Sequence, residues 1–335
     1  MKVAIHMLTP YPPSNPNRDE LGMPKTATVG GELRQRISSQ ALKRAWRLSE
    51  PLSQIEASLS VRTRAIGEKA QEKALEAGAD GNLAKKIAKA ILIQFGKEHK
   101  NRPLNTAEVV ILGHEEWAAA MELAETCALE AREPSSDELD GLQRSTTSVD
   151  VALFGRMRAA APKFNVDAAV SVSHALTANK IRIEADFWTA VDDLNERAED
   201  AGSGGMGERE FGSGVYYVYA VVDMERLVEN LEGNSELAAK TVNALIKAMA
   251  TTTPGGHRTS FGHQTYAAYL GIEHSSTVSG NLMLPAFESP VQGTAEAISH
   301  LKDAMSRVSG AYGLDGISRE MSVPEGIGSL TDCLV

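Results

Sequence analysis

The sequence is poor in cysteine, with two in 335 residues, Cys127 and Cys333, and neither belongs to a CxxC pair. A disulfide framework needs several cysteines and a zinc site needs closely spaced ligands, so neither is indicated. Long hydrophobic runs are also absent, since none approaches the ~20 apolar residues that a membrane helix requires. We therefore expect a soluble, cytoplasmic chain with free thiols, no contact with a membrane, no metal and no other cofactor.

Positive charge is scarce overall and concentrated in one place. The chain carries a net charge of -10, yet between Arg18 and Arg47 seven basic residues stand against three acidic ones. This distribution focuses positive potential on one surface, while the acidic remainder favours solubility and disfavours indiscriminate phosphate binding. The stretch from 18 to 47 is therefore the first candidate for an anion-binding surface.

This basic stretch lies in a predicted loop and helix. "KVAIHMLTP" alternates with the period of a strand, and "YPPSNPNRDELGMPKTATVGG" has the prolines and glycines of a long loop. After "RISS" a helix is predicted, with Ser38 or Ser39 as its cap. Polar and basic residues recur on this helix at i, i+3, i+4 and i+7: Gln40, Lys43, Arg44 and Arg47.

The opposite stripe of this helix is apolar and consists of Leu42, Ala45 and Trp46. One face therefore suits a protein core and the other suits anions. The alternative is a solvated basic face that serves only solubility.

The rest of the chain mixes helical and strand patterns. Residues 51–160 are helical and fairly polar, strand character returns at "DAAVSVSHAL", and the segment from 181 to 222 predicts an extended hairpin with a glycine-rich tip. A helix at about 235–250 and a strand at "TYAAYLGIE" follow. This order predicts an α+β fold with a ferredoxin-like sheet that is interrupted twice.

Three other motifs resemble catalytic or cofactor sites, but their context does not fit. The glycines of 202–207 spell GxGxxG, yet no buried strand leads into them and no helix follows. His174 lies beside two serines, but there is no GxSxG turn, so we expect a core histidine. His257 and His263 stand six residues apart, which is not a metal-ligand spacing.

One aromatic residue lies on the predicted hairpin: Trp188, in "DFWT", beside Thr189. An exposed indole there would stack on nucleic-acid bases, whereas a buried one would anchor the hairpin to the core. The sequence leaves both interpretations open.

The long motif "NRDELGMPKTATVGGELRQRISSQALKRAWR" resembles the N-terminal signature of the CasC family, the repeated backbone subunits of type I-E CRISPR Cascade complexes. Further matches follow in the same order: "ALFGRM", "VDAAVSVSHAL", "DFWTAVDDL", "EFGSGVYYVYA", "TTTPGG" and "AYGLDG". The resemblance spans nearly the whole chain.

This resemblance implies an α+β fold with an RRM-like palm, a helical fingers insertion and a β-hairpin thumb. The implied boundaries are 1–50 for the first part of the palm with its RNA-binding loop and helix, 51–160 for the fingers, 161–180 for more of the palm, 181–214 for the thumb and 215–335 for the second part of the palm.

The resemblance also implies RNA-binding residues. The positions that match the family's RNA groove are Arg18, Lys25, Ser38, Gln40, Lys43, Arg44 and Arg47, and those that match its contacts around a displaced base are Met157, Trp188 and Thr189.

The implied function is a non-catalytic, sequence-independent crRNA-binding subunit that polymerises along the guide and presents it to target DNA. Its implied partners are the crRNA, target DNA through the guide, copies of itself, and the large, small, 5′-handle-binding and crRNA-processing subunits of Cascade. Two alternatives remain open. One is a metal-dependent ribonuclease of the type III kind that uses Asp19, unless that carboxylate pairs with Arg18. The other is a freestanding, monomeric RNA-binding module.

Overall fold

A computed structural model describes residues 1–55, 59–142, 148–158, 162–190 and 205–335. The chain divides into two compact units. The sheet unit comprises Met1–Leu52, Ser171–Asp223 and Val242–Val335, and the helical unit comprises Ser53–Val170 and Met224–Thr241. None of the helices in the described residues has both the length and the apolar composition to cross a membrane.

In the described residues the sheet unit is built on one sheet of nine strands. These are β1 (Lys2–Ser14), β2 (Thr26–Val29), β3 (Glu32–Ile37), β8 (Val170–Val172), β9 (Ala175–Thr177), β10 (Glu184–Thr189), β11 (Met206–Asp223), β12 (Tyr269–Ser275) and β13 (Arg319–Ser322). The strand order is β13-β12-β1-β11-β9-β3-β2, and β8 and β10 also pair with β11. Strand β1 runs antiparallel to both of its neighbours, β11 and β12.

Strand β1 extends beyond its predicted end. It continues through Tyr11 to Ser14, and its register on β11 shifts from Tyr11↔Gly214 to Ser14↔Gly212. The two prolines between these pairs are exposed. Because proline has no N–H to give to a ladder, a register shift is where a strand tolerates it.

The segment predicted as one long loop contains a hairpin instead. Strands β2 and β3 pair antiparallel, and the turn between them is Gly30-Gly31, with φ of 59° and 78°. Two successive residues with positive φ are typical of a tight hairpin turn, and glycine adopts that conformation without strain. The double glycine was the sequence signal for this hairpin.

The helices are α1 (Ser39–Arg47), α2 (Glu50–Ser53), α3 (Ile66–Glu76), α4 (Gly81–Phe95), α5 (His114–Leu129), α6 (Ser136–Asp140), α7 (Val149–Phe154), α8 (Met224–Asn230), α9 (Ser235–Thr251), α10 (Arg258–Phe261), α11 (Met283–Phe287) and α12 (Gly293–Tyr312). The predicted helices after "RISS" and at 235–250 correspond to α1 and α9. The longest of the described helices, α12, was not predicted.

One core of the sheet unit lies between the sheet and the C-terminal helices. Leu8, Tyr217 and Tyr269 from the strands pack with Phe287 of α11. On α12 the buried residues form one stripe: Ala297, Ile298, Leu301, Ala304 and Met305. The spacing of these residues follows the period of an α-helix. Gly313 ends the helix in the left-handed conformation.

The helical unit has its own core, formed mainly by α3, α4 and α5. It is rich in alanine, with Ala70, Ala84 and Ala124 fully buried. Small residues let helix axes approach closely. The unit also holds a short hairpin, β5 (Glu98–His99) with β6 (Arg102–Thr106), and a long-range antiparallel pair, β4 (Val61–Thr63) with β7 (Val110–Leu112), none of which the helical pattern predicted.

The predicted α+β class is confirmed by this mixed architecture. The boundaries of palm, fingers and thumb remain predictions. In the hairpin predicted over 181–222, strand pairing begins at Glu184 and not at 181. The predicted glycine-rich tip of the hairpin, including 202–204 of the GxGxxG run, lies outside the described residues.

Candidate nucleic-acid interface

The loop after β1 is folded by an acidic side chain. Asp19 Oδ1 accepts the backbone N–H groups of Leu21 and Met23, both at 2.9 Å, and a backbone bridge joins Arg18 to Pro24. In the described part of the chain Asp19 makes no ion pair with Arg18, so the pairing considered from the sequence was wrong. The Arg18 side chain is exposed at the tip of a loop that holds its own shape.

The same loop is tied to the start of helix α1. The Oδ1 atom of Asn17 accepts the Ser38 backbone N–H at 2.9 Å, and the Asn17 carbonyl accepts the Lys25 N–H at 2.9 Å. The Lys25 carbonyl in turn accepts the Arg36 N–H at 2.7 Å. Lys25, Arg36 and Ser38 are therefore brought together around Asn17.

Helix α1 begins as its sequence predicts. Ser38 is the cap, and its Oγ accepts the Ala41 N–H at 3.3 Å. The hydroxyl is thereby engaged with the helix and Ser38 is 8% exposed. Leu42 and Trp46 are buried, which confirms the apolar stripe.

The basic face of α1 is not uniformly exposed. Gln40 and Arg44 are exposed, whereas Lys43 is half-buried and burial lowers the pKa of its ammonium group. Arg47 is 8% exposed. The helix therefore presents Gln40 and Arg44 fully to solvent, Lys43 in part, and Arg47 hardly at all.

His174 lies at this surface and not in the core, so the prediction of a core histidine was wrong. It is exposed, and its Nδ1 accepts the Ser39 N–H at 3.0 Å. Burial chiefly, and then Arg36 and Lys25, lower the pKa of its imidazole. The face prediction failed because the strand is interrupted between β8 and β9, where the Ser173 Oγ accepts the Tyr219 N–H.

The predicted hairpin is an antiparallel ribbon, Glu184–Thr189 of β10 with Met206–Phe211 of β11. Trp188 lies opposite Gly207, and Thr189 lies opposite Met206. Neighbouring residues of a strand point to opposite faces, so Trp188 and Thr189 occupy different faces of the ribbon. Thr189 is exposed on the face that carries Phe187 and Met206.

The indole of Trp188 lies across Gly207. A Cβ atom at Gly207 would be 2.9 Å from the indole ring, so any larger residue at this position would clash with the ring. Trp188 is 39% exposed and Phe187 is 64% exposed. The last glycine of the GxGxxG run, Gly207, thus makes room for the Trp188 side chain.

An arginine that the sequence did not single out joins this ribbon to another loop. The Arg209 guanidinium lies 5.4 Å from the centroid of the Trp188 ring, and its Nη1 donates to Ser260 Oγ at 3.4 Å. The rings of Phe211 and Phe261 are 5.8 Å apart. The only sequence signal was the position of Arg209 two residues after Gly207, on the same face of an alternating strand.

Met157 belongs to the helical unit, whereas the other predicted site residues belong to the sheet unit. It is 83% exposed and lines a cavity of about 330 Å³ together with Phe95, Val110 and Arg158. The Arg158 guanidinium lies 5.4 Å from the centroid of the Phe95 ring. Met157 therefore lines a site within its own unit.

Metal-ligating side chains do not cluster in the described ranges: no group of three or more His, Cys, Asp or Glu residues there could hold an ion. Both cysteines are buried, free thiols.

Comparison with known proteins gives consistent results. The family model described as CT1975-like protein matches residues 3–328. A chain of a solved structure described as "CRISPR RNA-guided surveillance complex, pre-nicking" is 30% identical, with 99% of this chain and 95% of that chain covered and a TM-score of 0.85. A chain of another, described as "CRISPR RNA-guided surveillance complex", is 26% identical, with coverages of 99% and 94% and a TM-score of 0.73. No curated protein sequence matches the chain.

Proposed function

We propose, from the premise that this chain belongs to the CT1975-like protein family, that it is a component of a CRISPR RNA-guided surveillance complex. More specifically, we propose that it is the crRNA-binding backbone subunit of a type I-E Cascade complex. Copies of the chain polymerise along the guide and present it for pairing with target DNA. The other Cascade subunits complete the assembly.

The observation that carries this proposal is a set of cations that are not paired with carboxylates of the chain. Within the described residues Arg18, Arg36, Arg44 and Arg209 of the sheet unit form no ion pair with a carboxylate. They come from a loop, a strand, a helix and the ribbon. The similarity of the whole chain to chains of surveillance complexes supports an RNA strand as the missing anionic partner.

This arrangement suits binding that ignores base sequence. Arginine and lysine attract phosphate regardless of the base attached, and a stacking indole accepts any base because every base has a π-face. In guide-directed systems base pairing reads the sequence while the protein holds the backbone. We assign the backbone contacts to Arg18, Lys25, Lys43 and Arg44, with Gln40 beside them, and the stacking contact to Trp188.

Four other predicted residues take different roles in this proposal. Ser38 caps α1 and Arg47 is nearly buried, so both shape the helix that carries the contacts. Thr189 lies on the ribbon face opposite Trp188, and with it Met206 and Phe187 offer a second apolar contact. Met157 would contact RNA from the helical unit.

The ribonuclease alternative depends on Asp19. Its Oδ1 already accepts two backbone N–H groups, which favours a structural role in the loop. The assembled complex incubated with complementary RNA and Mg²⁺ should leave that RNA intact. Regularly spaced cleavage that disappears in an Asp19→Ala variant would establish an enzyme.

A charge-reversal experiment tests the proposal itself. Arg18→Glu combined with Arg44→Glu changes two exposed side chains and should not unfold the chain. We expect the slope of log Kd against log salt concentration for single-stranded RNA to fall by about 1.4, since each lost phosphate contact contributes about 0.7. Fluorescence anisotropy measures this slope, and circular dichroism checks the fold.

The matched control is Arg307→Glu combined with Arg319→Glu, which makes the same change in net charge on exposed arginines of the same unit. Its slope should remain that of the wild type. If the two double variants lose RNA equally, the effect is one of total charge and the assigned surface is wrong.

A further inference from the structure

We propose that Arg18, Arg209 and His257 form one phosphate-binding cluster in the sheet unit, and that His257 takes up a proton when an RNA phosphate binds there. This inference rests on the proposed RNA-binding function and adds a specific subsite with a pH response.

The first two residues of the cluster are connected through one buried amide. Asn15 is 2% exposed, and its Nδ2 donates to the carbonyls of Gly22 and Glu210, both at 3.0 Å. Gly22 belongs to the loop that carries Arg18, and Glu210 follows Arg209 in β11. Both hydrogens of the Asn15 amide are therefore used to hold these two segments together.

The third residue is brought to the same place by a close backbone contact. A Cβ atom at Gly256 would lie 2.4 Å from the carbonyl oxygen of Pro16, so the turn at 254–257 packs directly on the backbone that leads to Arg18. The next residue, His257, has φ of 51°. Left-handed conformations are rare in residues other than glycine and occur often at functional sites.

The ribbon also contacts the segment that carries His257. Arg209 Nη1 donates to Ser260 Oγ at 3.4 Å, and the ring of Phe261 lies 6.0 Å from the ring of His257. Phe261 also meets Phe211 of the ribbon. The loop of His257 is thus held against the strand of Arg209 as well as against the segment before Arg18.

Among the described residues no ion pair joins a carboxylate to Arg18 or Arg209, although Asp19 and Glu210 follow them directly in sequence; Asp19 Oδ1 accepts two backbone N–H groups, and Glu210 Oε2 is buried without a hydrogen-bond partner. Burial first, and then the charges of Arg18, Arg209 and His263, lower the pKa of the His257 imidazole. Arg258 is the next residue in sequence and adds a further positive charge. Asp186 lies opposite Arg209 across the ribbon, but in the described residues it makes no ion pair with it.

A phosphate at this point would oppose the effect of the neighbouring positive charges on the pKa of His257. The single negative charge of a phosphodiester close to the imidazole favours its protonated form, and the resulting charge-assisted hydrogen bonds are stronger than neutral ones. Protonation and phosphate binding are therefore coupled: RNA binds more tightly where His257 can be protonated. This assigns a role to the first histidine of "HRTSFGH", whose spacing does not suit a metal.

Salt dependence at two pH values tests the proposal on the full-length chain with labelled single-stranded RNA. At about pH 6 the wild type should show a slope steeper by about 0.7 than at about pH 8, because one more contact is charged. His257→Asn keeps a residue that tolerates the left-handed conformation and should abolish this difference. Arg209→Gln should lower the slope by about 0.7 at both pH values.

Matched controls come from helix α12, where His300→Asn and Arg307→Gln change exposed residues outside the cluster. Both should behave as the wild type. A direct measurement is the imidazole pKa by NMR: RNA should raise that of His257 and leave that of His300 unchanged.

The outcomes separate the two proposals. If the wild type binds RNA and the pH dependence survives in His257→Asn, the cluster proposal is overturned while the proposed function stands. If RNA addition leaves the His257 pKa unchanged, the cluster proposal is likewise overturned. If the wild type does not bind single-stranded RNA at all, both proposals fail.

Discussion

The helical unit pairs several of its arginines with carboxylates, whereas four arginines in the described part of the sheet unit form no ion pair. Arg156 and Arg158 donate to Glu116 at 2.6 and 3.0 Å, and Arg132 forms a bidentate pair with Glu138 at 2.8 and 2.7 Å. This pair lowers the pKa of the Glu138 carboxyl to about 2. In the described part of the sheet unit, Arg18, Arg36, Arg44 and Arg209 have no such partner.

The difference shows two uses of the same side chain. In the helical unit arginine satisfies internal charges and holds short segments together, so its charge is already neutralised. In the sheet unit these four charges have no carboxylate partner among the described residues, as the proposed binding of RNA requires. Arg34 is an arginine of the sheet unit that is fully buried. Its guanidinium donates to backbone carbonyls, including that of Phe287 at 2.8 Å, and not to a carboxylate.

The largest effect is expected when a buried ion pair of the helical unit is broken. Glu116→Ala leaves Arg156, which is fully buried, and Arg158 without their carboxylate, and it removes the acceptor for the Gly113 N–H. Removing one partner of a buried ion pair costs about 3–5 kcal/mol in free energy of unfolding. Urea denaturation followed by circular dichroism measures this loss.

Glu133→Gln is the control for this change, because its ion pair with Lys86 is exposed on both sides. Its effect on unfolding should be far smaller, since solvent screens such pairs. Equal losses in the two variants would contradict the assignment of a structural role to the buried pair alone.

A smaller effect is expected from a change beside Arg209 in the sheet unit. Trp188→Ala removes the ring that lies under Arg209 and the proposed stacking surface for a base. Loss of one stacked base weakens RNA binding by about 1–3 kcal/mol, which is roughly 5- to 150-fold. Anisotropy with single-stranded RNA measures the change.

Phe187→Ala distinguishes the two faces of the ribbon. Phe187 is the more exposed aromatic residue, but it lies on the face opposite Trp188 and Arg209. We expect it to reduce binding less than Trp188→Ala does. A larger loss for Phe187→Ala would move the stacking contact to the other face.

The smallest effect is a pH dependence of stability at His174. The folded-state pKa of this residue is lowered, mainly by burial, so the unfolded chain binds the proton more readily. The stability that it contributes is complete above the ordinary histidine pKa of about 6.5 and is lost as the pH falls below it. Protonation of Nδ1 would also end its hydrogen bond with the Ser39 N–H.

Urea midpoints measured at neutral and mildly acidic pH should therefore fall more for the wild type than for His174→Asn. Burial also lowers the pKa of His263, but that contribution is present in both proteins and cancels in the difference. An equal fall in both would show that His174 does not contribute to the acid sensitivity.

Local patterns were sufficient for the elements that begin the chain. The alternation in "KVAIHMLTP" predicts β1, and the Ser38 cap with the stripe of Leu42 and Trp46 predicts α1. These features need only neighbours a few residues away. The order of elements further along was enough for the α+β class.

Site residues were predictable to a lesser extent. Helical spacing places Arg47 on the basic face with Arg44, but spacing does not say which part of that face another segment covers. Arg209 was missed because its partners, the Trp188 ring and the Ser260 hydroxyl, are 21 and 51 residues away in sequence. His174 was misassigned because an interruption in a strand leaves no mark on the alternation itself.

The sequence by itself determined where positive charge is concentrated and which helix carries it, since capping and periodicity act over one or two turns. Only the tertiary structure decided which of those charges face solvent and which further groups join them. Asn15 shows the reason: one side-chain amide bonds to carbonyls 7 and 195 residues away, and no local pattern encodes the second of these contacts.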